Sequence, residues 1–214
     1  ATAIRSAVPT GPIHLLGWSL GGNIAYEVAR HLHADGREVG MLALLDSGLI
    51  SGQRELSEAD FLPLIAALFP GQQAESLEEL RQKSPLEQLE YFVRQAAVAG
   101  IVPDDPAVVG PHIFDVFQAN IKAIHEHESL PYDGALLLVR PGDQLKTGAL
   151  FDDQTLGWSR LVKDVRVENV PGDHAHMLQQ PAVARIAALV QTRLDAKPAR
   201  PIHTDRSARG VAVT

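Results

Sequence analysis

No cysteine occurs among the 214 residues. That absence excludes disulfides, cysteine nucleophiles and thiolate metal sites together. Lysine- and arginine-rich runs are also missing, and the formal net charge is -7. The chain therefore lacks the electrostatic footprint that phosphate backbones require, and nucleic acid is not an expected partner. No apolar stretch is long enough to cross a bilayer, so no membrane partner is expected either. The opening ATAIRSAVPTG has no apolar run of the signal-peptide kind, which makes a cytoplasmic location the expectation.

What is present suits one sizeable core, with or without an inserted subdomain: 45% of the residues are hydrophobic and 21% charged. Ile13–Leu16 is a short apolar run closing on Gly17, read as a buried strand entering a tight turn. From Gly22 to Ala34, Ile24, Ala25, Val28, Ala29 and Leu32 recur at helical spacing, and Asp35-Gly36 ends that helix. Val39–Leu45 is a second unbroken apolar run, of the kind that parallel strands covered on both faces carry. Strand, helix, strand is a βαβ unit, and the expected fold class is α/β with a mostly parallel sheet and flanking helices.

Between Gly52 and Leu130 strand-like runs vanish and helical periods take over. Ser57 with Asp60 and Ser84 with Glu87 resemble helix starts, while Pro70-Gly71 and Pro103 punctuate. Such a block is too long for an ordinary connection, so it is read as an inserted helical lid. Strands resume at Ala135–Val139 and Val165–Val170, and a helix at Pro181–Leu194. The expected division is a core of residues 1–52 and 131–195, a lid of 53–130 and a flexible tail of 196–214.

The chemistry centres on Gly17-Trp18-Ser19-Leu20-Gly21-Gly22, a G-x-S-x-G sequence set between an expected strand and an expected helix. A strand that reverses sharply into a helix needs small neighbours around the serine, and it projects the hydroxyl above the sheet edge. The helix N-terminus then offers N–H groups to a developing negative charge, with the N–H of Leu20 as the first oxyanion donor. Trp18 is expected to pack or to line the substrate pocket. This context points to the α/β-hydrolase fold with Ser19 as nucleophile.

A serine hydroxyl needs a base, and the base needs an orienting acid. His174 follows an apolar strand and a Pro-Gly turn, which puts it on the carboxyl edge of the sheet, where ligands gather in α/β folds. It is the leading base; His176 is its rival in the same loop. Asp46 and Asp143 both end strands on that edge, and the residues alone leave the choice of acid open. Asp173 is too close in sequence to His174 to orient it. His14 is expected to be packed or hydrogen-bonded in its strand, and His31 and His33 to sit favourably at a helix end. His125 and His127 alternate with glutamates, which does not place both on one helix face, so a solvated face is expected there and no metal site.

With GWSLGG, ALLDSG and VPGDHAHML in view, the chain resembles the releasing thioesterase domains of nonribosomal peptide and polyketide synthases. The aromatic residue before the serine, the second glycine after it, the Pro-Gly-x-His segment and Trp158 all fit that pattern. The resemblance spans about residues 10–195 and is weak across the helical insertion. It implies Asp46 as the acid, with Asp143 the runner-up. It also implies an upstream carrier-protein partner whose 4'-phosphopantetheine arm presents an acyl or peptidyl thioester, with no cofactor bound by the domain itself. Release would run through a Ser19 acyl-enzyme, ending in hydrolysis or macrocyclisation. The family's second oxyanion donor comes from a loop ahead of the nucleophile strand, and only a dozen residues precede that strand here. A complementing N-terminal fragment of the same domain is therefore a further expected partner. The rival readings are a stand-alone carboxylesterase, an editing thioesterase, and a silent hydrolase fold used for binding.

Overall fold

The computed structural model describes residues 1–50, 75, 77–98, 116, 119–120, 122–123, 126–142 and 153–195. The expected helix start at Ser57, the punctuation at Pro70-Gly71 and Pro103, the residues His125 and Asp143, and the tail 196–214 lie outside them. A short helix α1 (Thr2–Ala7) precedes β1 (Ile13–Trp18), α2 (Leu20–Ala34) and β2 (Val39–Leu45). Then come α3 (Leu77–Arg81), α4 (Pro85–Val98), β3 (Tyr132–Pro141), β4 (Val162–Val170) and α5 (Ala182–Asp195). The start of α4 is a reciprocal cap, as the Ser84–Glu87 spacing predicts: the Glu87 N–H donates to Ser84 Oγ, and the Ser84 N–H donates back to Glu87 Oε2 at 2.8 Å.

The four strands form one sheet in the order β1-β2-β3-β4, every neighbouring pair parallel. All four carboxyl ends therefore lie on one edge. Leu42–Leu45 of β2 and Leu136–Val139 of β3 are buried without interruption, because a central parallel strand is covered on both faces. The period of two then sorts them. Leu42, Leu44, Leu136 and Leu138 pack towards α2 residues Ala25, Tyr26 and Ala29. Ala43, Leu45, Leu137 and Val139 pack on the opposite face towards Met177 and Ile186. Register carries β1 into the same scheme: Leu15 pairs with Leu42 and joins the first cluster, while Trp18 pairs with Leu45 and joins the second.

Two expectations are corrected. The buried face of α2 runs through Gly22, Asn23, Ala25, Tyr26, Ala29 and Leu32, and Ile24 is exposed. The tyrosine outbids the isoleucine because its ring fills the space between Trp158 and Tyr132, 4.6 and 6.0 Å away, while its hydroxyl donates to the Leu130 carbonyl at 2.7 Å. His14 is exposed because β1 is an edge strand, paired among the described residues with β2 alone. His31 and His33 sit exposed in the last turn of α2, as expected.

His127 is tied down more than a solvated face would require. Its Nε2 lies 3.0 Å from Glu27 of α2, which also accepts from Arg30 Nε at 2.9 Å. Burial pushes the Glu27 carboxyl up, but hydrogen bonds from His127, Arg30 and Ser129 outweigh it and hold the group below its ordinary value of 4.5. The folded state thus favours the ionised form. That stabilisation is complete above the ordinary value and is lost as pH falls through the lowered one. Glu27→Gln should cost about 1 kcal/mol at pH 7. In urea unfolding from pH 7 down to pH 3 the gap from the parent chain should close below about pH 4.5; a constant gap would show that the charge is irrelevant.

Candidate active site

Ser19 stands between β1 and α2 with φ 53° and ψ -128°, a conformation L-residues avoid. Strain of this kind costs on the order of 1–3 kcal/mol and persists where surroundings over-determine it. Here the Ser19 N–H extends the sheet by donating to the Leu45 carbonyl at 3.0 Å, and the Ser19 carbonyl accepts from the Gly22 N–H at 3.0 Å. The glycines beside it divide in role. A Cβ on Gly17 would collide with the Gly21 backbone, closest to its carbonyl oxygen, and one on Gly22 would strike the Ser47 side chain. One on Gly21 would meet nothing within 4 Å. The steric demand read from G-x-S-x-G thus falls on the first glycine and on the one after the pentapeptide. Leu20 opens α2, so its N–H belongs to the first turn, at the positive end of the helix dipole.

Asp46 follows β2 directly and also has positive φ, 41°. Its N–H donates to the Val139 carbonyl at 2.7 Å, which ties it to β3. Its carboxylate meets His174, which lies four residues past the end of β4: Nδ1 to Oδ2 is 2.7 Å. The pair is shielded, with side-chain exposures of 3% for His174 and 13% for Asp46. A carboxylate only accepts, so the bond fixes the imidazole proton on Nδ1 and makes Nε2 the basic nitrogen. Trp18, adjacent to Ser19, stacks on the same imidazole with ring centroids 5.0 Å apart and planes 27° off parallel. This places the ring beside the Ser19 turn and leaves Trp18 both packing and flanking the site.

The rival histidine is engaged elsewhere. His176 Nδ1 sits 2.8 Å from Asp173, and its side chain is 48% exposed. Burial pushes the Asp173 carboxyl up, but hydrogen bonds from the His176 backbone and ring outweigh it and hold the group low. Asp173 is therefore the partner of His176. The structure brings together Trp18, Asp46 and His174, with Ser19 next to Trp18 in the chain; Asp143 lies outside the described residues. Among the described residues no cluster of three potential metal ligands forms, and no helix is long and apolar enough to cross a membrane.

Reading the residues missed Asn23 and Ser47. Asn23 Nδ2 donates to Ser47 Oγ at 3.2 Å and to the Gly48 carbonyl at 3.0 Å, and both side chains are buried. The signal was available: Asn23 lies on the face that Tyr26 and Ala29 share at helical spacing, and a polar side chain there demands partners.

The family model described as "Thioesterase domain" matches residues 1–192. Chondramide synthase of Chondromyces crocatus is 27% identical over 209 residues, covering 90% of this chain and 5% of the synthase. Microperfuranone synthase of Emericella nidulans is 27% identical over 214 residues, covering 91% of this chain and 22% of the synthase. The chain thus spans a small part of the curated relatives it matches. Among solved structures, a four-domain nonribosomal peptide synthetase bound to AMP and glycine superposes with TM-score 0.67 at 25% identity, covering 92% of this chain and 15% of that one. A nocardicin-cluster thioesterase domain, in covalent complex with a fluorophosphonate nocardicin G analogue, gives TM-score 0.58 at 24% identity, covering 90% and 70%. These matches, with the parallel sheet and the residues gathered on its carboxyl edge, place the chain in the thioesterase domain family, within the α/β-hydrolase fold and akin to the thioesterase domains of nonribosomal peptide and polyketide synthases.

Proposed function

We propose that this domain releases an acyl or peptidyl chain from the phosphopantetheine arm of an upstream carrier protein, through an ester formed on Ser19. The observation that carries the reading is the shielded 2.7 Å bond between His174 Nδ1 and Asp46 Oδ2 on the edge where Ser19 follows β1. His174 Nε2 takes the Ser19 hydroxyl proton as Oγ attacks the thioester carbonyl. The tetrahedral oxyanion collapses, the C–S bond breaks, and the imidazolium returns its proton to the departing sulfur. Asp46 stabilises that imidazolium and keeps the ring in the productive tautomer. In the second half His174 activates either water, giving a linear acid, or a hydroxyl or amine of the chain itself, giving a macrocycle.

The Leu20 N–H, in the first turn of α2, is assigned to the oxyanion. A second donor is assigned to a complementing N-terminal segment of the same domain. The outer edge of β1, unpaired among the described residues and with Leu16 49% exposed, offers such a segment a strand to pair with. Trp18 is assigned to the wall of the acyl pocket, and residues 53–130 to a lid over it.

Two outcomes check the assignment. After incubation with an acyl-pantetheine thioester, intact-mass spectrometry should find one acyl adduct on the parent chain and none on Ser19→Ala, with unchanged circular dichroism. An adduct retained by the alanine variant would sink the nucleophile. Asp46→Asn should slow acylation on the order of 10⁴-fold, because an amide can bond Nδ1 in the wrong tautomer. Stopped-flow release of the pantetheine thiol measures this, and a loss under tenfold would move the acid elsewhere. A stand-alone carboxylesterase would instead turn over simple esters faster than pantetheine thioesters.

A further inference from the structure

The turn that carries Asp46 is fastened from two directions. From one side comes Asn23 of α2, four residues beyond Ser19, with its bonds at 3.2 Å to Ser47 Oγ and 3.0 Å to the Gly48 carbonyl. Its Oδ1 accepts from the Ile50 N–H at 3.4 Å. From the other side comes Trp158, fully buried, whose indole Nε1–H donates to the Ser47 carbonyl at 2.7 Å. The Leu49 N–H donates to the Leu156 carbonyl at 2.9 Å, so the two loops are joined at two points. Ser47 itself is 1% exposed and lies against Gly22, where no side chain fits.

We propose that Asn23 and Trp158 are positioning residues for the reaction: acting through Ser47, they hold the Asp46 carboxylate on His174 Nδ1. Asp46 has positive φ, and such a backbone holds only where its neighbours over-determine it. Beside the ladder bond from the Asp46 N–H to Val139, the bonds that do so here converge on the two residues that follow it, Ser47 and Gly48. Asn23 adds a coupling that packing alone would not give, because it links the helix that begins at the nucleophile to the turn that begins with the acid. The inference rests on the thioesterase reading above, in which Asp46 orients the base. Misplacing a catalytic group by an ångström from a distance costs about 100-fold.

Trp158→Phe removes the indole N–H and keeps an aromatic ring; Asn23→Ala removes the other fastening without touching the tryptophan. In the intact chain, labelled with ¹⁵N-histidine, the His174 Nδ1 proton bonded to Asp46 should give a far-downfield proton resonance. Each variant should broaden or lose it. Each should also lower kcat for an acyl-pantetheine thioester by about 10- to 100-fold with KM within about twofold. A merely structural role would lower the melting temperature and leave the resonance unmoved. That result in either folded variant would overturn the proposal. Should Trp158→Phe fail to fold, Asn23→Ala decides alone. The resonance is read without turnover, so a parent chain that shows it yet forms no acyl adduct would count against the reaction, not against the clamp.

Discussion

The hydrogen bond between His174 and Asp46 sets the terms for the rest of the molecule. It joins residues 128 positions apart, and they can meet only if the strands delivering them end on the same edge. β2 delivers Asp46 and β4 delivers His174, with β3 between them. Two strand spacings amount to roughly 10 Å, more than two side chains cover comfortably. The excess is taken up by the loop after β4, which runs four residues past Val170 before it presents the imidazole. A β4 running antiparallel to β2 would place His174 at the opposite end of the sheet from Asp46. The unbroken apolar runs of β2 and β3, which make parallel burial possible, are therefore the first requirement of the site.

Strain is concentrated at the same edge. Trp18 and Leu45 are register partners at the ends of β1 and β2, and the next residue on each strand, Ser19 and Asp46, has positive φ. Each leaves the sheet by donating its N–H to the neighbouring strand, Ser19 to Leu45 and Asp46 to Val139. The two turns are thus anchored by ladder bonds at the moment they depart from strand geometry. That anchoring lets conformations costing on the order of 1–3 kcal/mol each persist side by side.

Much of this was legible in the residues. Apolar runs marked the strands, a glycine-framed serine between strand and helix marked the turn, and the position after a terminal strand marked His174 as a member of the site. Its carboxylate partner was not legible from pattern alone. Asp46 and Asp143 both end strands, and periodicity along a chain carries no information about lateral distance across a sheet. Resemblance favoured Asp46, and that is the carboxylate on which the described geometry places His174. Other misses share a cause. Ile24 looked like a core residue and Asn23 did not, because hydrophobicity was weighed without the direction of the helix face. His14 looked packed because nothing in its own strand says that the strand stands at an edge.

Why should a buried turn of this kind use polar side chains at all? An apolar turn would pack, but it would leave the Ser47 and Gly48 carbonyls without donors, at about 1–3 kcal/mol each. Asn23 and Trp158 supply those donors. Both are rigid, with few rotatable bonds, so little side-chain freedom is lost in fixing the turn. The same burial keeps water from the imidazole face that Trp18 covers. Low local dielectric strengthens a satisfied bond and penalises an unsatisfied one. A turn that slipped would therefore expose Asp46 to competing water and leave a nearly buried imidazole without its carboxylate. Desolvation of the pair and polar satisfaction of the turn beside it are in this sense one requirement, met by side chains from α2 and from the segment ahead of β4.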